Sequence, residues 1–207
     1  MTPKQAARRA RIEQAAYEVL SEAGYNSASL LTIAKRASAS NETLYKWYGN
    51  KQALFRSLVE ANASEAKVLL EQALGEGSDP LEALARLGPA LLALVTGGRA
   101  VALNRAAAGD ASDTGTLGKA IADAGRETIA PLLSALLGRA QQEGLIACRD
   151  PAEAAETYFH LLIGDLQIRR VIGVIDELPQ QEIERRAQRA FHLFRKLHVP
   201  EASRADL

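Results

Sequence analysis

The groups with which this chain could make or break bonds are few. His160, His192 and His198 form no His-x-x-x-His or Glu-x-x-His pair, and no Gly-x-Ser-x-Gly elbow or phosphate-binding glycine loop occurs. Cys148 has no second thiol with which to form a disulfide, a zinc site or an iron-sulfur site. The sequence therefore reads as a non-enzyme without metal or cofactor. The other chemistry on offer is recognition. Tyr45-Lys46-Trp47-Tyr48 interleaves a cation with aromatic rings, and Lys51 follows close by. Arg8, Arg9 and Arg11 sit near the start of the chain. Formal charge is zero overall, but residues 1–56 carry nine Lys and Arg against four Glu, and the remainder carries the opposite excess. A basic end on an acidic body is the distribution of a polyanion-binding head joined to a soluble partner domain.

The elements that must position these residues are helices. The chain has 39 Ala and 29 Leu among 207 residues, about a third in two strong helix formers, while Val, Ile and Thr are scattered rather than gathered into alternating runs. An all-α fold of nine helices in two domains follows. A first helix runs from Arg8 to Ala23, with cations at its start and Gly24 ending it, and a second is capped by Ser29 with Leu30, Ile33, Ala34 and Ala37 inward. After a turn at Ser38–Ser40, a third helix, Asn41 to Tyr48, is capped by Ser40 and stopped by Gly49. The spacing is that of a helix-turn-helix. A long helix from Lys51 to Leu74 would reach ~36 Å. Arginines in the first helix and Lys51 at the start of the long one are read as first-turn cations opposing the helix dipole, a cost of ~0.3–1 kcal/mol that a bound phosphate would reverse.

Farther on, Asp79-Pro80 opens a helix to Thr96, and a weaker one spans Arg99 to Ala108. Gly109 to Gly118 looks least ordered and reads as a mobile rim. One long helix is expected from Leu117 to Glu143, with Pro131 as its kink, another from Asp150-Pro151 to Val174, and a last one from Pro179. The longest charge-free stretch, Leu87 to Gly98, is 12 residues and too short to cross a membrane. With no apolar leader before a small-residue cleavage site, the expectation is a cytoplasmic protein without membrane association.

The string Gly24-Tyr25, Ser29-Leu30, Ile33-Ala34-Lys35-Arg36-Ala37, Ser40, Thr43-Leu44-Tyr45, Tyr48 and Asn50-Lys51-Gln52-Ala53-Leu54 resembles the TetR/AcrR family of one-component transcriptional regulators. Ser38, Ala39 and Tyr48 depart from the family's usual Gly, Val and Phe. The resemblance implies a helix-turn-helix DNA-binding domain at 1–50 and an effector-binding and dimerisation domain at 51–207, entered through the helix 51–74. It implies a homodimeric repressor that leaves a roughly palindromic double-stranded operator when a small hydrophobic effector binds. Ser29, Asn41, Glu42, Thr43, Tyr45, Lys46, Trp47 and Lys51 are the implied DNA contacts, with Leu44 in the core. Glu can accept from a cytosine amino group and Thr can touch a thymine methyl.

In the body, polar residues inside apolar helical stretches, namely Asn62, Asn104, Arg105 and His160, are candidates for orienting the effector. The helix Tyr158–Ile175 is apolar on more than one face, which with the last helix suggests a dimer interface of Tyr158, Leu162, Leu166, Ile172, Phe191 and Phe194. A helical adaptor or a small-molecule-binding enzyme without DNA binding are the competing readings. Neither explains the cations at helix starts.

Overall fold

The computed structural model describes residues 2–75 and 79–200. Among them are eleven α-helices and no strand. The first four are α1 (Pro3–Ser27), α2 (Leu30–Arg36), α3 (Asn41–Tyr48) and α4 (Lys51–Ala73), followed by α5 (Pro80–Thr96) and α6 (Gly98–Asp110). The rest are α7 (Thr116–Ala124), α8 (Arg126–Gln142), α9 (Pro151–Ile163), α10 (Leu166–Val171) and α11 (Gln180–Leu197). They form two compact units. The head unit takes the chain up to Asn62 together with Gly98–Ala122, and the body unit takes Ala63–Gly97 together with the residues from Asp123 onward. α4 thus gives its first half to the head and its second half to the body.

The head is a packed cluster in which α1 meets α2 and α6, and α2 meets α3. Ile12, Ala16, Ile33, Leu44, Leu54, Phe55 and Leu58 are sealed in its interior. Thr2 and Gln5 close a capping box at the start of α1, so the helix begins at Pro3, five residues before Arg8. The expectation that Arg8, Arg9 and Arg11 occupy a first turn is therefore corrected. They lie along the helix, where the dipole argument no longer applies to them, and only Lys51 stands in a first turn as expected. Near its end α1 passes through Gly24 at φ 72°, a conformation suited to glycine, before adding one more turn.

The stretch expected to be a mobile rim is organised by a carboxylate. Asp110 is fully buried, and its oxygens accept from the Thr114 hydroxyl at 2.8 Å and from the Leu117 N–H at 3.2 Å. Burial alone would raise its pKa, but these donors outweigh it and hold the group below the usual carboxylate value. Composition did not show this, because the Gly, Ser and Thr residues that suggested looseness include the donors that close the turn.

In the body, α5 packs on α8, α9, α10 and α11, and α9 also packs on α8 and α11. Leu70, Leu84, Leu92, Leu133, Leu136, Leu137, Tyr158, Leu162 and Phe194 are among its fully enclosed side chains. The Tyr158 hydroxyl donates to the Leu84 carbonyl at 3.2 Å, and the ring meets Phe194 edge-on at 5.5 Å. Burial pushes this phenol well above its ordinary pKa, so it remains a neutral donor. Gly88 lets it in, since a Cβ at that position would stand 2.6 Å from the hydroxyl.

Two expected long helices are each broken, and neither break is at a proline. The segment 117–143 divides at Gly125, where the Thr128 hydroxyl donates to the Asp123 carbonyl at 2.7 Å, while Pro131 stays inside α8. The segment 151–174 divides at Gly164, which adopts φ 52° and ψ −128°. A Cβ there would meet the Arg186 Nη2 at 2.8 Å, and the Arg186 Nε donates to the Leu162 carbonyl at 3.0 Å. An arginine from α11 thus satisfies backbone that the end of α9 leaves open.

This packing corrects most of the expected dimer interface. Tyr158, Leu162 and Phe194 are entirely enclosed by their own body unit and have no surface to offer a partner. Leu166 and Phe191 are half-buried against the same core, and Ile172 alone of the six is well exposed, at 62%. The inward residues of α9 are covered by α5, α8 and α11 of the same unit, while Ile168, Ile172 and Val174 farther along remain exposed.

Gly88→Ala should destabilise the body by about 1–3 kcal/mol in chemical denaturation, the usual cost of overpacking a closed core. Tyr158→Phe removes the clashing oxygen, so the double variant should lose less than the two single losses added together. Strict additivity would contradict the contact.

Candidate nucleic-acid interface

Local chemistry fixes each helix end in the head. The Ser29 hydroxyl accepts from the Thr32 N–H at 3.0 Å and starts α2. The Ser40 hydroxyl does the same for Thr43 at 3.2 Å and starts α3. Gly49, at φ 77°, ends α3, and the Asn50 side chain accepts from the Ala53 N–H at 2.8 Å to start α4. Between α2 and α3 the chain turns through Ser38 at φ 48°, the single described non-glycine residue with positive φ. The serine accepts that strain where glycine would be free of it.

Within α3, Leu44 is the one fully buried residue. Burying it turns Asn41, Glu42, Tyr45, Lys46 and Trp47 outward, with Thr43 half-buried. Tyr45 is 55% exposed and Trp47 37% exposed, unusual for large rings without a partner surface. Seven of the eight residues expected to meet DNA therefore cluster along α3 and at the start of α4. Ser29 stands apart at the start of α2, its hydroxyl already occupied in the cap.

Lys51 is more constrained than its sequence position suggests. Its ammonium donates to the Tyr25 carbonyl at 3.0 Å and lies 4.1 Å from the centre of the Tyr25 ring. Tyr25 is buried and packs edge-on against Phe55 at 5.4 Å. Burial, with Asp110 and Asp113 adding to it, pushes the Tyr25 phenol up to about 12. The Gly24 bend supplies both the carbonyl and the ring, so the lysine is held before any ligand arrives while keeping further N–H donors.

Sequence reasoning missed two partners. Tyr25 figured only as part of the family string, although its place after a glycine was a signal that the chain bends there. Arg8 places its guanidinium 5.8 Å from the centre of the Trp47 ring, a cation–π distance across two helices with no local signature. Other cations are neutralised within the head. Arg9 pairs with Glu13 at 2.8 Å, and Arg36 pairs with Glu22 and Glu18. Glu22 holds Arg36 above its ordinary pKa.

The expected effector residues are divided between the two units. Asn62, Asn104 and Arg105 belong to the head unit, whereas His160 is exposed on the body. The Asn104 amide donates back to the Ala100 carbonyl of its own helix at 2.9 Å. A body cavity of about 290 Å³ is lined instead by Leu69, Leu70, Gln72, Ala73, Ala83, Arg86 and Leu87. No group of three or more His, Cys, Asp or Glu able to hold a metal occurs among the described residues. No single helix there is long and apolar enough to cross a membrane.

An exposed basic and aromatic helix following a capped turn defines a helix-turn-helix head, and comparison with known proteins agrees. Residues 12–58 match the family model of bacterial regulatory proteins of the tetR family. Residues 82–197 match that of the AefR-like transcriptional repressor C-terminal domain. The chain belongs to the tetR family of transcriptional regulators. It is similar to a solved TetR-family regulator from Mesorhizobium loti MAFF303099, with a TM-score of 0.77 and 26% identity over 95% of this chain and 99% of that one. A TetR regulator from Agrobacterium tumefaciens aligns with a TM-score of 0.73 and 27% identity over 100% of both chains. The flavonoid-responsive regulator FrrA aligns at 0.68 and 27%, covering 95% of this chain and 99% of FrrA. The uncharacterised helix-turn-helix regulator YvkB of Bacillus subtilis is 33% identical over 66 residues, 32% of this chain, which spans only 35% of that curated relative.

Two outcomes follow from the head geometry. Ser38→Gly should stabilise the head by about 0.5–1 kcal/mol, the relief of positive φ less the entropy glycine adds, visible as a raised melting midpoint. Lys51→Ala should weaken duplex binding equally for all sequences and reduce the salt slope of log K by about one per subunit. An unchanged slope would remove Lys51 from the phosphate contacts.

Proposed function

We propose that this chain is a homodimeric repressor whose α3 enters the major groove of a roughly palindromic operator and which a small hydrophobic effector releases. The observation that carries the reading is the outward row of α3 beside a preset Lys51, with Leu44 holding that row away from the core. Lys51 and Lys46 would contact phosphate, and Tyr45 and Trp47 backbone or base. Asn41, Glu42 and Thr43 would meet base edges at the N-terminal end of the helix. A carboxylate repels phosphate, so Glu42 selects sequence rather than adding affinity. Ser29 retains its amide as a further phosphate donor. The two heads of a dimer would meet one face of the duplex at a spacing of ~34 Å or a multiple.

The functional division we infer places DNA binding in residues 1–50 and effector binding with dimerisation in 51–207, α4 being common to both. The effector would occupy the cavity beside α4 and α5, whose leucine and alanine walls suit an apolar molecule and whose Gln72 and Arg86 would orient it. FrrA, a responder to flavonoids, supports a small-molecule signal. An effector preferring the conformer with badly spaced heads would lower DNA affinity by a coupling energy of ~1–3 kcal/mol. For the dimer, Ile172 with Ile168 and Val174 offers exposed apolar side chains on and after α10. We place the protein in the cytoplasm and assign it no enzymatic step.

Selection of bound sites from random duplexes tests the reading. The expected product is an inverted repeat, and Glu42→Ala should change the preferred base at one position of each half-site. Recovery of no enriched sequence would refute the operator, and uniform weakening across operator variants would refute the role of Glu42.

A further inference from the structure

Beside α3 the head holds a cleft of about 530 Å³, within the range of ligand pockets. It is lined by Arg9 of α1, by Lys46, Trp47 and Tyr48 of α3, and by Ala53 and Ser57 of α4. We propose that this cleft is a second small-molecule site, distinct from the body cavity, that takes a planar aromatic monocarboxylate and competes directly with DNA.

The shape and chemistry of the walls select that class. Trp47 presents an indole to the cleft while Arg8, which is not among the lining residues, approaches the same ring at 5.8 Å. A flat aromatic body would therefore stack on a ring already polarised by a cation. Ala53 adds a small apolar wall, and the Ser57 hydroxyl is committed to the Leu54 carbonyl at 2.7 Å.

Charge sets the valence. Arg9 is paired with Glu13, whereas Lys46 has no ion-pair partner among the described residues, so the lining carries roughly one uncompensated positive charge. That suits a monoanion better than a phosphorylated metabolite. The Tyr48 hydroxyl is shielded from solvent, with the Arg9 guanidinium beside it as a donor and no acceptor for its own proton. A ligand carboxylate in the cleft would accept from the exposed Lys46 ammonium and from the Arg9 guanidinium, both of which keep open surface there.

Regulation by this route needs no conformational change. Lys46 and Trp47 would be withdrawn from the duplex by occupancy itself. Binding at the cleft stands on its own geometry, and only the competition rests on the function proposed above.

The chain has one tryptophan, so its indole N–H gives a single resonance that reports the cleft directly. Titrating the full-length protein with 1-naphthoate should shift that resonance saturably. Cyclohexanecarboxylate, whose ring is saturated, and neutral 1-naphthalenemethanol, without the charge, should bind at least about tenfold more weakly. Lys46→Gln and Ala53→Leu, each checked for an unchanged circular-dichroism spectrum, should weaken 1-naphthoate by a similar factor. No saturable shift at millimolar 1-naphthoate overturns the site, as does a shift that either variant leaves at the wild-type midpoint. Duplex binding is measured on the same sample with and without 1-naphthoate. A protein that binds naphthoate but no duplex refutes the proposed function and leaves the cleft standing, and duplex affinity unchanged at saturating naphthoate refutes the competition.

Discussion

An eight-residue helix does not hold itself together in water, because nucleation is costly and a helix of this length repays too little of it. α3 exists because Leu44 is buried, because Ser40 satisfies an amide at its start and because Gly49 ends it. The same burial chooses which face looks outward. Everything assigned to the head depends on that one apolar anchor: rotate α3 about its axis and the outward row of Asn41, Glu42, Tyr45, Lys46 and Trp47 is no longer presented together. The face proposed for recognition is thus a by-product of core packing, and it leaves two large rings, Tyr45 and Trp47, exposed.

Electrostatics refines this picture more than net charge does. The basic head spends several of its cations internally, Arg9 on Glu13 and Arg36 on Glu22 and Glu18. Exposed pairs of this kind contribute little stability, but they lower the positive potential where they lie. Lys46 on α3 and Lys51 at the start of α4 are not spent in this way. Lys51, held against the carbonyl and ring of Tyr25, has lost much of the rotamer freedom a free lysine would forfeit on meeting a phosphate. Preorganisation of one lysine by a glycine bend links the Gly24-Tyr25 and Asn50-Lys51 parts of the family string, which lie far apart in sequence.

Caps are local, and so the head was legible. Ser29, Ser40 and Gly49 announced the ends of α2 and α3, and the inward positions of both helices followed from spacing. The body was legible in class but not in detail. Gly164 breaks an apolar run only because Arg186, far along the chain, fills the space a side chain would need and takes the freed carbonyl. For the same reason Tyr158, Leu162 and Phe194 were misread as an interface: periodicity shows that a face is covered, not what covers it. Among the site residues, the α3 row could be read, whereas the contacts of Arg8 with Trp47 and of Tyr25 with Lys51 join separate helices and leave no mark in local sequence.

The central claim is that the row displayed by Leu44 is the surface that meets the duplex. Adding a mixed-sequence duplex in dilute buffer to isotopically labelled protein, and following its amide and indole resonances, tests this residue by residue. The account predicts that the Trp47 indole and the amides of α3 and the first turn of α4 move first, ahead of those of α9 and α11. Perturbation confined to the body, or none at all, would contradict it.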